Sequence, residues 1–74
     1  MPSDLPAGAP APTGAPEADV DEVAVGCEQG LVALCDVLRL FEGQPGYEAF
    51  AEYGRTCGGR NAPTEEFCTA IYPA

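Results

Sequence analysis

Four cysteines in 74 residues, Cys27, Cys35, Cys57 and Cys68, are the side chains with the most chemistry to offer. Three chemistries are open to them. As metal thiolates they would need close ligand pairs such as C-x2-C. Their spacings are instead C-x7-C, C-x21-C and C-x10-C, and the chain has no histidine, so no metal and no other cofactor is expected. As reduced thiols they would act as small apolar residues, and Cys27, Cys35 and Cys68 do fall on predicted apolar stripes. As disulfides they would staple a domain too small for a large core. If one continuous helix carries both Cys27 and Cys35, their Cα atoms lie about 12 Å apart, beyond bridging distance. Each must then reach the second half of the chain, and the natural nested pattern is Cys27–Cys68 with Cys35–Cys57. The thiol and disulfide readings both remain open at this point.

The remaining chemistry is sparse. Without lysine or histidine, the common general bases and Schiff-base catalysis are missing. No histidine stands by to activate a thiolate. Adjacent Glu65 and Glu66 point about 100° apart on a helix and do not converge on one substrate. Gly58-Gly59 lacks the lysine of a phosphate loop. The expectation is a protein that is not an enzyme.

Charge narrows the partners. Twelve acids face three arginines, giving a net charge of −9. Five acids (Asp4, Glu17, Asp19, Asp21, Glu22) sit in the first 26 residues with no base among them. Phosphate binding needs cations to release counterions, so nucleic acid and anionic membrane surfaces are poor partners. A protein with a basic surface is a better one. The simplest alternative is that the acids only keep the tail solvated.

These residues must be positioned by small elements. Residues 1–18 hold five prolines among Ala, Gly and Ser and read as a disordered tail. Residues 19–74 form the domain. Asp19 and Glu22 suit a capping box. The apolar stripe Val20, Val23, Ala24, Cys27, Leu31, Leu34, Cys35, Leu38, Phe41 then predicts one helix, securest over 27–42 and weakened by Gly26 and Gly30. Gly43 suits a left-handed stop. A second helix runs from near Pro45 to Arg55, with Tyr47, Phe50, Ala51 and Gly54 facing the core. Glu48, Glu52 and Arg55 line its other face, and Tyr53, off the core stripe, is the candidate exposed aromatic. Tyr53, Glu48, Glu52 and Arg55 are therefore the candidate partner-binding residues. After a loop over 56–63, Thr64 caps a short third helix with Phe67, Cys68, Ile71 and Tyr72 on its apolar side and Pro73 ending it. No period of two is present, so the fold class is all-α: a small three-helix domain with a disordered N-terminal tail.

The stretch Gly43-Gln44-Pro45-Gly46-Tyr47-Glu48-Ala49-Phe50-Ala51-Glu52 resembles the G-x-P-x-Y-x-x-[YF]-x-E signature of the YbdD/YjiX family of small bacterial proteins. Pro63-Thr64-Glu65-Glu66-Phe67 resembles the family's T/S-x-E-E-F helix start. The chain departs from the pattern in lacking a histidine near Tyr53, the loop His-Pro and the basic C-terminal region. The resemblance implies an accessory protein on the cytosolic side of a carbon-starvation-type pyruvate or peptide transporter.

The reading of function is thus a non-catalytic acidic helical binding or accessory protein that docks on a larger protein. The alternatives are a secreted disulfide-stapled effector or toxin-like module, and a precursor peptide cleaved after Gly58-Gly59. Residues 31–41, the longest apolar-rich stretch, are too short for a bilayer and are interrupted by Asp36 and Arg39. No signal peptide is visible. If Met1 is the natural start the expected location is the cytoplasm; if the chain is a processed form, it is secreted.

Overall fold

The computed structural model describes residues 6–72. The expectations for 1–5, including the place of Asp4, and for Pro73 lie outside the described residues. The fold is all-α: helices α1 (Ala18–Glu28), α2 (Val32–Leu38), α3 (Glu48–Arg55) and α4 (Cys68–Ile71), with a 3-10 turn at Arg39–Phe41, and no strand among the described residues.

The single long first helix does not exist. It breaks at Gly30, which lies in the left-handed region at φ 110°. The Gly30 N–H donates to the Cys27 carbonyl at 3.2 Å, and the Leu31 N–H to the Gly26 carbonyl at 3.0 Å. This pair of bonds is a Schellman stop: a positive-φ glycine lets the chain fold back and satisfies carbonyls that the helix end leaves open. Gly30 therefore ends a helix where the sequence pattern treats it only as a weak point. Leu31, expected on the core stripe, sits on this turn and is 60 % exposed. At the other end, α1 starts at Ala18 with no side-chain cap. Asp19 does not cap it as expected; it lies in the first turn with Asp21.

The fold-back makes α1 and α2 a helical hairpin, and this overturns the nested cysteine pairing. The disulfides are Cys27–Cys35, with Cα atoms 4.9 Å apart, and Cys57–Cys68, at 5.6 Å. The argument against a Cys27–Cys35 bridge assumed an unbroken helix, and that premise fails at Gly30. With all four sulfurs paired and no cysteine free, the thiol and zinc readings fall together.

Gly43, expected as a left-handed stop, is one, at φ 87°. The second helix starts later than expected. Pro45 and Gly46 form a turn closed by the Tyr47 N–H on the Gln44 carbonyl, with Gly46 at φ 89°, and α3 begins at Glu48. Pro at the second position and a positive-φ Gly at the third are what a type II turn requires. Helix α3 ends in a second Schellman pair, Cys57 N–H to Gly54 carbonyl and Gly58 N–H to Tyr53 carbonyl. Here Cys57 itself takes the left-handed position, at φ 53°. A side chain there costs about 1 kcal/mol or more; the bridge to Cys68 holds it in place.

The third expected helix is shortened to α4. Thr64 does not cap it. The Thr64 hydroxyl accepts from the Glu66 N–H in a local turn, and the cap comes from across the fold: the Asp36 carboxylate accepts from the Cys68 N–H at 2.6 Å and from the Thr69 N–H at 3.3 Å.

The core is small. Its largest fully buried side chains are Leu38 and the four cysteines, with Val20, Ala24, Tyr47, Phe50 and Tyr53 around them. Helix α2 lies at the centre, packed against α1, α3 and α4. It crosses α3 closely at Gly54, where an added Cβ would stand 2.5 Å from the Cys35 carbonyl oxygen and 3.0 Å from Leu38 Cβ.

Two measurements check this fold. Trypsin cuts this chain only after Arg39, Arg55 and Arg60. Non-reducing digestion should give peptide 1–39 with an internal bridge and peptide 56–60 joined to 61–74, and the undigested chain should weigh about 4 Da less than its reduced form. A cross-link between 1–39 and either later peptide would contradict the pairing. Gly54→Ala should lower unfolding stability in denaturant by about 1–3 kcal/mol, because backbone blocks the new methyl, although Ala alone favours a helix by about 1 kcal/mol.

Candidate functional site

Each of the three arginines is engaged by the chain's own carbonyls or carboxylates. The Arg60 guanidinium sits over the end of α1. It donates to the carbonyls of Cys27 (3.0 Å) and Glu28 (2.9 Å), and so caps that helix. It also donates to the carbonyls of Cys57 (2.9 Å) and Pro6 (2.7 Å). One planar group thus ties the end of α1, the loop after α3 and the N-terminal segment together. Arg39 donates to the carbonyls of Glu66 (2.7 Å) and Glu65 (2.8 Å), and its guanidinium lies 5.5 Å from the centroid of the Phe67 ring. Arg55 pairs with Glu42 and, at 3.3 Å, with Glu52.

The N-terminal segment has no helix or strand over 6–15, as its composition predicts, but it is hydrogen-bonded to the domain. The Ala9 N–H donates to the Gly58 carbonyl at 2.7 Å, and the Tyr53 hydroxyl donates to the Ala9 carbonyl at 2.5 Å. Further along, the Ala11 N–H donates to Glu28 Oε1 at 3.1 Å and the Ala15 N–H to Asp21 Oδ1 at 3.0 Å. Ala9, Ala11 and Ala15 pack against the core.

The four candidate partner-binding residues separate. Glu48 and Glu52 are exposed on α3, as expected. Glu48 also accepts from the Gly46 N–H at 3.1 Å, and Arg55 is half-buried between its two carboxylates. Tyr53 is corrected: it is buried, with 8 % of its surface exposed. It looked exposed because it lies off the α3 face that meets α2, but the N-terminal segment and α1 cover that second side. Burial raises its hydroxyl pKa above the ordinary value of 10.0; the Glu28 charge adds to the rise and Arg60 opposes it.

A second surface was missed. Leu40 is 76 % exposed and Phe67 64 %, and Val37 and Leu31 are exposed too. Ala33, Val37 and Leu40 follow one another at helical spacing on the outer side of α2 and its 3-10 extension. Phe67, expected in the core stripe of the third helix, instead stands beside them, because Asp36 fixes the start of α4 against α2 and Arg39 lies over the ring. At the far end, Leu31, Val32 and Ala33 face Thr69 and Tyr72 across an open apolar groove of about 310 Å³. The signal was in the sequence: Val37 and Leu40 are large apolar residues left off the core stripe. Glu65 and Glu66, next to Phe67, are exposed, and their side chains hold no cation.

Comparison with family models, with curated proteins and with solved structures gives no match.

The Tyr53 geometry predicts a pH effect. A folded-state pKa above the unfolded one means that stability is full below about pH 10 and is lost as pH rises through the folded value. The absorbance titration of Tyr53, isolated by comparison with Tyr53→Phe, should have its midpoint above that of free tyrosine, and amide exchange at Ala9 and Ala11 should speed up over the same interval. A midpoint at or below the ordinary value would contradict the buried hydroxyl.

Proposed function

We propose that this chain is a non-catalytic, disulfide-stapled binding module that docks on a larger protein with a basic surface, and that it works in an oxidising compartment. The observation that carries the docking half is the formal charge of −9, twelve acids against three arginines, with Glu48, Glu52, Glu65 and Glu66 exposed. The outward field is acidic, so association is steered toward positive potential and resists phosphate surfaces. Among the described residues no helix is long and apolar enough to cross a membrane.

The two disulfides support the compartment. Disulfides persist outside the reducing cytosol, and small domains there use them where a core is too small. The resemblance of Gly43 to Phe67 suggests a transporter as partner on its cytosolic side, and the two bridges argue against that placement. The precursor-peptide reading loses support from the same bridges. Cleavage after Gly59 would leave the C-terminal piece tied to Cys57 through Cys68, and no peptide would be released.

Affinity capture with the oxidised chain from the cells that make it, followed by titration of the purified captured protein, tests the proposal. The expected result is saturable binding at micromolar concentration or tighter that weakens severalfold between roughly 50 and 300 mM salt. Salt-independent binding, or no saturable protein partner at micromolar concentration, would remove the electrostatic basis of the reading.

A further inference from the structure

The geometry points to the outer side of α2, with Phe67 beside it, as the docking face, and to a partner groove that is apolar on its floor and basic at its rim. This inference rests on the proposed docking function and names the surface that performs it.

The face is apolar where a small acidic protein has least reason to be. Among the described residues, four of the five large apolar residues with high exposure, Leu31, Val37, Leu40 and Phe67, lie on α2, at its two ends or at the start of α4. Exposed apolar side chains gathered on one element, with polar groups beside them, mark an interaction site. Phe67 is exposed yet held in place. Arg39 lies over its ring, and two main-chain carbonyls fix that guanidinium in turn. An aromatic side chain already ordered in the free protein loses little freedom on binding, which is what an interface anchor needs.

Charge selects the occupant. Glu65 and Glu66 precede Phe67 with no ion pair on their carboxylates among the described residues, and together with Asp36 they outnumber the single charge of Arg39. The rim of the face is therefore negative. A second copy of this chain would bring another −9 to the contact, opposing self-association. A groove with an apolar floor and lysine or arginine at its edge satisfies both parts of the face.

The test uses the full oxidised chain and, as probe, a synthetic amphipathic helix whose leucine stripe flanked by lysines reproduces the apolar floor and basic rim of such a groove, followed by NMR titration. Amide shifts should concentrate at Val37, Leu40 and Phe67. The double variant Leu40→Ser, Phe67→Ser, both on exposed positions, should weaken binding about tenfold or more. Glu65→Gln with Glu66→Gln should weaken it severalfold at low salt, and by more than Glu48→Gln with Glu52→Gln, which removes the same charge from α3. Loss of binding with the Glu48, Glu52 pair and not with the Leu40, Phe67 pair would overturn the assigned face while leaving a basic partner intact. Equal binding of a peptide whose lysines are replaced by glutamates would overturn the charge reading itself. Sedimentation showing a dimer that Leu40→Ser dissociates would overturn the occupant in favour of a second copy.

Discussion

Every larger feature of this molecule depends on the sulfur at its centre. A chain this short buries too little apolar surface to hold a fold by burial alone. Here the largest fully buried side chains are one leucine and four half-cystines. The bridges restrict the unfolded chain and so contribute roughly 2–4 kcal/mol each, comparable with the net stability of a small domain. They also fill the volume that longer apolar side chains occupy in larger cores. Cys27–Cys35 closes the α1–α2 hairpin, and Cys57–Cys68 fastens α4 to the end of α3. With these two joints made, α2 is surrounded on its inner side and left open on its outer side.

The second organising feature is the way few cations serve many acceptors. Arg60 satisfies four carbonyls from three separate segments, and Arg39 joins the 64–67 turn to α2. Asp36 does the reciprocal task for α4, accepting main-chain N–H groups that a four-residue helix leaves open. These contacts replace secondary structure as the connection between short elements. The same three arginines are the chain's only cationic side chains, so the surplus of acids sets the outward field.

The N-terminal segment fits the same pattern. Its main chain makes the hydrogen bonds, with amides and carbonyls of Pro6, Ala9, Ala11 and Ala15 meeting Arg60, Tyr53, Gly58, Glu28 and Asp21, while the alanine side chains pack against the core. Small side chains allow this close approach; an added Cβ on Gly59 would stand 2.5 Å from Ala9 Cβ. Composition that cannot build a helix can still lie along one, and this is how Tyr53 comes to be buried.

The amino-acid sequence by itself determined the helical class, the core side of α3, the Gly43 stop and the acidic balance, because each follows from local spacing or from counting. Helix α3 was legible since Tyr47, Phe50, Ala51 and Gly54 repeat at helical intervals whatever they pack against. Disulfide pairing, the burial of Tyr53 and the exposure of Leu31, Leu40 and Phe67 were decided only by tertiary structure. The apolar period from Val20 to Phe41 is compatible with one helix or with two helices folded together. A single positive φ at Gly30 chooses between them, and the cysteine pairing changes with that choice. Period reports which residues share a side of a helix; it carries no information about whether the axis continues or turns back.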